Sequence, residues 1–279
     1  MITRAISGAV YVAAIVICIL LGQWTFIALS LLLAITGLNE FYRLANGNKK
    51  ERPVTLCVDI AGGILLILGL SSSAMRAVAD PFGLSPLPQI TYFLPYLAYL
   101  LARPVIQLYT KEQSPLTNIA VSYMGQVYIA LPLGLMTCIY SQYGTPHIVL
   151  AMFIMIWVND TGAYLVGRTF GRHRLFERLS PKKSWEGFWG GLAFSIGSAL
   201  VMKCLFPSYF PMFSIAQMVG LAAVVTLFAT WGDLTESLIK RTLHVKDSGT
   251  VMPGHGGILD RIDSLLLVAP ATLLYLLLI

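Results

Sequence analysis

The chain has 279 residues, of which 57% are hydrophobic and only 11% charged, and its formal net charge is +6. A soluble domain carries roughly 25% charged residues, so a water-soluble globular fold is excluded: it would expose far too much apolar surface. The four cysteines, Cys18, Cys57, Cys138 and Cys204, show no CxxC spacing and lie in or near apolar runs, which argues against a zinc or redox motif and predicts free, buried thiols.

A helix needs about 20 apolar residues to cross a bilayer. Nine segments meet that need: 5–21, 24–44, 54–72, 89–109, 118–141, 147–167, 186–206, 214–240 and 258–279. The expected fold class is therefore all-α, a polytopic integral membrane protein of about nine transmembrane helices. None of the runs alternates as the strands of a membrane barrel do. No cleavable leader is expected, since the first run lacks a small-residue cleavage site and the second follows at once. With the N-terminus in the cytoplasm, cytoplasmic segments receive all of the 19 Lys and Arg residues except Arg76 and Lys203; Arg103 and Lys111 count among them. The positive-inside rule thus supports both the number of spans and an orientation in the inner, cytoplasmic membrane. Residues 1–145 are expected to form a scaffold of N-terminal helices for dimerisation and lipid access. Residues 146–279 are expected to form the catalytic region, with loops 168–185 and 241–257 expected on the cytoplasmic side.

Along the chain, Glu40 and Asp59 stand at span ends and are expected to reach the interface. The sixth span carries Asp160 in Trp157-Val-Asn-Asp-Thr-Gly-Ala-Tyr164, and the eighth carries Asp233 and Glu236 in Trp231-Gly-Asp-Leu-Thr-Glu-Ser237. An acid at mid-helix costs about 2.5–3.5 kcal/mol on insertion scales, so such groups are kept for a task and paired with something positive. Asp233, Glu236, Ser237 and Lys240 share one helical face, with Asp233 about 10 Å in from Lys240. Gly162 and Gly167 permit close approach of backbones, through which Asp160 is expected to meet the eighth span. The structural alternative, acids that merely tie helices together, applies most readily to Glu236.

Two loops flank these spans. In Ser180-Pro-Lys-Lys-Ser184, Lys182 and Lys183 stand between hydroxyls at a helix start and offer a grip for a triphosphate. Arg172, Arg174 and Arg178 are explained by ordinary positive-inside charge. In the last loop, Pro253, Gly254, Gly256 and Gly257 predict a tight turn whose N–H groups can face an anion. A helix then begins near Ile258, bringing its positive dipole end. Asp260 and Asp263 project from its first turns, and two carboxylates beside an anion cradle suit Mg²⁺. Lys240, Arg241, Lys246 and Arg261 add phosphate-binding charge. His255, between glycines, is a candidate for a phosphate or cytosine contact. His173 and His244 read as solvated loop residues, and scattered histidines do not make a zinc site.

Taken together, these residues resemble the integral-membrane phosphatidate cytidylyltransferases, or CDP-diacylglycerol synthases. That family's signature is matched here by Ser237, Lys240-Arg241, Lys246-Asp247, His255-Gly256-Gly257, Asp260-Arg261 and Asp263, with the same spacings. Asn159-Asp160 and Ser180 to Ser184 are also similar, so matching motifs cover roughly 157–264. The resemblance implies transfer of a cytidylyl group from CTP to phosphatidate, with release of pyrophosphate. It implies Mg²⁺ on Asp233, Asp260 and Asp263, with Asp160 at a second ion, K⁺ or another divalent. It implies CTP phosphates on Ser180, Lys182, Lys183, Ser184, Lys246, Asp247 and the Gly256–Gly257 turn, and the lipid head group or leaving group on Lys240, Arg241 and Arg261. The expected partners are CTP, phosphatidate, membrane lipids and a second copy of the chain, with no nucleic acid. Two other readings compete: a CTP-dependent polyprenol or phytol kinase, which would release CDP, and a cation-coupled transporter, which the lack of an internal repeat disfavours.

Overall fold

The computed structural model describes residues 2–46, 53–71, 89–110, 114–249 and 256–279. Among these, nine helices stand at the nine expected spans: α1 (Ile2–Leu21), α2 (Gln23–Ala45), α3 (Pro53–Leu70), α4 (Leu94–Tyr109), α5 (Pro115–Tyr143), α6 (His147–Phe170), α7 (Trp185–Leu205), α8 (Ile215–Thr242) and α9 (Leu259–Leu278). Six of them, α2 and α5 to α9, are long and apolar enough to cross a membrane, and the chain is a multi-pass membrane protein. It divides into two compact units, one of Met1–Gly144 with Asp247–Asp260 and one of Thr145–Lys246 with Arg261–Ile279.

The first unit is built on α1 to α5. Its apolar interior includes Leu38, Phe41, Ile67, Ile129 and Leu133. Within it lies a buried polar network. Arg103 Nε of α4 is 2.8 Å from Asp59 Oδ1 of α3, and the two side chains are 2% and 6% exposed. Tyr99 donates to Asp59 Oδ1 (2.9 Å) and Ser122 to Oδ2 (2.6 Å). Gln126 donates to the Asp59 carbonyl (2.7 Å), and Arg103 Nη1 donates to Gln107 (3.0 Å). Gln126 opens a π-helical turn, Gln126–Ala130, inside α5. Asp59 is therefore not an interfacial residue, nor is Arg103 a cytoplasmic-loop charge. Each neutralises the other, because neither could stay unpaired where water is scarce. Glu40 is likewise buried, at 5% exposure, and caps another helix instead of reaching the interface. The cysteines are free as expected, but none is fully buried: Cys18 and Cys138 are half-buried, and Cys57 and Cys204 are exposed on their helices, where lipid can take the place of protein packing.

The second unit places α6 and α7 in close contact. Gly187 opens α7 beside α6, and a Cβ there would lie 2.9 Å from the Ala163 carbonyl oxygen. Gly162 and Gly167 face Phe194, Ser184 and Gly187. The glycines of the sixth span thus close on the seventh helix, not on the eighth as expected. Small residues carry this packing because lipid offers no hydrophobic drive for helices to associate. The loop before α7 forms a short hairpin of β1 (Arg174–Phe176) and β2 (Ser180–Ser184), antiparallel with an irregular register. Its base is tied by Glu186, which accepts from the Arg172 and His173 amides and pairs with His173 Nδ1 at 2.6 Å. Ser184 ends β2 and caps α7, its hydroxyl accepting from Gly187 N (3.1 Å). A capping box of Ser214 and Gln217 starts α8.

Candidate active site

In the second unit, a cavity of about 550 Å³ opens between α6, the hairpin, the start of α7 and α8. One face of α6 lines it with Asp160, Ala163, Tyr164, Gly167 and Arg168, which follow the spacing of successive helical turns. β1 supplies Arg174 and Leu175; β2 supplies Lys182, Lys183 and Ser184; α8 supplies Thr230 and Asp233. Four cationic side chains therefore share one cavity with two carboxylates.

The hairpin sets the lysines. Lys182 and Lys183 are neighbours on a strand, so their side chains leave on opposite faces. Lys182 is exposed and Lys183 half-buried. Lys183 Nζ reaches Asp233 Oδ2 at 2.6 Å, and Asp160 faces the charges of both Lys183 and Asp233. Asn159 donates to Asp160 Oδ1 (3.3 Å), and Ser237 to Asp233 Oδ1 (3.4 Å).

Asp263 of α9 completes the group. At Gly232 a Cβ would sit 2.6 Å from the Asp263 carbonyl oxygen and 2.9 Å from Ser264 Cα, so α8 and α9 touch backbone to backbone where the acids stand. One carboxylate oxygen from each of Asp233, Glu236 and Asp263 lies within 4.8 Å of the others. Lys240 pairs with Glu236 at 2.5 Å, one helical turn on. Clustered oxygen donors of this kind fit Mg²⁺, which binds through a few carboxylates plus phosphate oxygens.

The sequence expectation that acids of the sixth, eighth and ninth spans meet is realised for Asp160, Asp233 and Asp263. Glu236, read as the most ordinary of the intramembrane acids, joins them; its position three residues after Asp233 was the available signal. Arg168 and Arg174 are also part of the cavity, although Arg174 had been explained by topology alone. Helical spacing from Asp160 would have found Arg168. Nothing short of the strand pairing would have found Arg174. Arg241, Lys246, Asp247 and Arg261 are exposed, and Ser180 is half-buried at the start of β2. His255 lies outside the described residues.

Asp260 belongs to the first unit, with the signature glycines. Its Oδ2 accepts from Ser248 N (3.0 Å), Ser248 Oγ (2.9 Å) and Gly257 N (2.9 Å). Gly256 has φ of +84°, a left-handed conformation that suits glycine. Glu40 of α2 receives the Ile258 and Leu259 amides at 3.0 Å each.

Proteins named phosphatidate cytidylyltransferase from Staphylococcus aureus and Staphylococcus saprophyticus are each 39% identical over 163 residues, 58% of this chain and 60% of theirs. One of the same name from Staphylococcus epidermidis is 44% identical over 122 residues, 44% of this chain and 46% of its own. The matched regions thus span less than two thirds of each relative. The pattern of the cytidylyltransferase family, by contrast, matches residues 2–279. With that match running nearly end to end, the chain belongs to the cytidylyltransferase family.

Proposed function

We propose that the chain transfers the cytidylyl group of CTP to phosphatidate, giving CDP-diacylglycerol and pyrophosphate. The observation that carries this reading is the pairing of Lys183 with Asp233 beside Asp160, in a cavity that also holds Arg168, Arg174 and Lys182. Family membership and the names of the relatives support it. A phosphate oxygen of the lipid forms a bond to the α-phosphorus of CTP, the bond from that phosphorus to the β-phosphate oxygen breaks, and pyrophosphate leaves with the electron pair. The nucleophile is already an anion, so no side chain need become covalently modified. The difficulty is to bring two polyanions together. Arg168, Arg174, Lys182 and Lys183 lower that repulsion and receive the triphosphate. Asp233, Glu236 and Asp263, with Asp160 beside them, would hold Mg²⁺, which supplies charge neutralisation of phosphate oxygens. The signature resemblance adds Asp260 to the acids and Lys246, Gly256 and Gly257 to the nucleotide contacts. The hairpin and the N-terminus face the cytoplasm, where CTP is found; the uneven distribution of Lys and Arg supports that orientation.

The test is to reconstitute the full chain in lipid with phosphatidate, labelled CTP and Mg²⁺. CDP-lipid and pyrophosphate are expected in equal amounts. Release of CDP with a phosphorylated lipid would replace this reading by a lipid kinase. Asp263→Asn should reduce CDP-lipid formation on the order of 10²–10³-fold, the usual cost of removing an electrostatic partner of the reaction.

A further inference from the structure

Glu40 lies in the N-terminal scaffold, far in sequence from the signature loop, yet among the described residues its carboxylate bonds to that loop. Oε1 accepts from Ile258 N, and Oε2 from Leu259 N, both at 3.0 Å. These amides open α9, where no preceding carbonyl of the helix can satisfy them, and an anion there is favoured by the helix dipole. Ser248 Oγ lies 3.3 Å from Glu40 Oε2 and 2.9 Å from Asp260 Oδ2, so its single hydrogen is shared between the two acids. Glu40 is only 5% exposed.

Two glycines are shaped around this carboxylate. A Cβ at Gly249 would sit 2.7 Å from Glu40 Oε1. A Cβ at Gly257 would overlap both Glu40 Oε2 and Ser248 Oγ, and would come within 2.8 Å of Gly249 N. Glycine at these positions therefore makes room for an internal anion. The amides that start α9 are already satisfied before any substrate phosphate arrives.

We infer that Glu40 is a positioning residue for the proposed cytidylyl transfer: it fixes Ser248 and the first amides of α9, and through them the orientation of Asp260. This role rests on the functional reading above. Two of the three described bonds to Asp260 Oδ2 come from Ser248, so a shift of Ser248 would turn the Asp260 carboxylate. Glu40→Gln keeps the size of the side chain but turns one acceptor oxygen into an NH₂ group facing a backbone N–H. Glu40→Asp keeps the anion and shortens its reach by one methylene.

The experiment uses the full chain in lipid nanodiscs and compares wild type, E40Q and E40D. The readouts are kcat and KM for CTP, thermal midpoint, and hydrogen exchange of the segment around Ile258 and Leu259. E40Q is expected to lower kcat by about 10- to 100-fold, the usual effect of losing a group that orients a functional side chain. Its KM and thermal midpoint should change little, and exchange should speed up at Ile258 and Leu259. E40D should recover most of kcat. An E40Q chain with wild-type kcat overturns the role. So does a loss of kcat that tracks a fall in thermal midpoint and is not recovered by E40D. A wild-type chain that forms no CDP-lipid overturns the functional reading, and this role with it. Normal wild-type turnover with an indifferent E40Q overturns this role alone.

Discussion

Lys183 stands against two acids at once, with its ammonium 2.6 Å from Asp233 and facing Asp160. It can serve two kinds of anion, since it neutralises a carboxylate in the resting protein and can attract phosphate when nucleotide binds. Lys183→Met should therefore have two effects of opposite sign. Half-saturation by Mg²⁺ should move to lower concentration, because a competing cation has left the acids. Turnover with CTP should fall on the order of 10²-fold, because a partner of the developing phosphate charge is gone. A Mg²⁺ titration of initial rates reads both. The arginines of the hairpin separate in the same way. Arg174 lines the cavity, whereas Arg172 is exposed and its described bond runs through its backbone amide to Glu186. Arg174→Ala should raise KM for CTP several-fold, and Arg172→Ala should leave it near wild type. Asp160 and Asp233 were legible in the sequence because a charge inside an apolar run is conspicuous, and Asp263 and Lys183 because each stands at a helix start among groups suited to a cation or a phosphate. Arg174 was not, because a basic residue in a loop expected to be cytoplasmic already has a sufficient explanation in topology.

Helix contact, more than helix formation, decides where these side chains stand. All nine helices could be read from hydropathy, since a segment in lipid must satisfy its own backbone and so must be helical. The hairpin could not: β1 has three residues, and its pairing depends on Glu186 gripping the amides of Arg172 and His173 from the first turn of α7. The partner chosen by each glycine was also hidden, because a small residue marks a close approach without naming the helix that approaches. Gly232 is the decisive case. It lets α8 meet α9 beside Asp233 and Asp263, and a methyl group there would press on the Asp263 carbonyl. Gly232→Ala should cost about 1–3 kcal/mol by overpacking and should lower activity more than stability, since the displaced helix carries Asp263. Thermal unfolding and turnover measured on one preparation separate the two. Between α3 and α4 the buried Asp59–Arg103 pair gives the converse test. Removing one partner, in Asp59→Leu or Arg103→Met, should destabilise by about 3–5 kcal/mol through the charge left behind. The double substitution should recover most of that loss, which a double-mutant cycle by thermal unfolding in detergent would show.

At the scale of the whole molecule, the proposed reaction requires one end of the second unit to face the compartment that holds CTP. α7 is a useful ruler for this. Its 21 residues span about 32 Å at 1.5 Å per residue, enough to cross the hydrocarbon core. The hairpin precedes its first turn, and the short helical turn Pro207–Tyr209 follows its last. Arg172 and Ser208, one before and one after this helix, are both exposed and so can report which face of the membrane each end meets. The basic residues 168, 172, 174, 178, 182 and 183 gather before α7, and only Lys203 stands near its far end, where it donates to the Phe210 carbonyl at 2.8 Å. This asymmetry is what supports the proposal that the hairpin faces the cytoplasm. In a chain freed of Cys18, Cys57, Cys138 and Cys204, R172C should react with a membrane-impermeant maleimide only when the cytoplasmic face is exposed, as in inverted vesicles. S208C should react only from the opposite side, in intact cells stripped of their outer barrier. Labelling of R172C from outside would place Lys182, Lys183 and the acids beside them away from cytosolic CTP, and the proposed reaction could not proceed there.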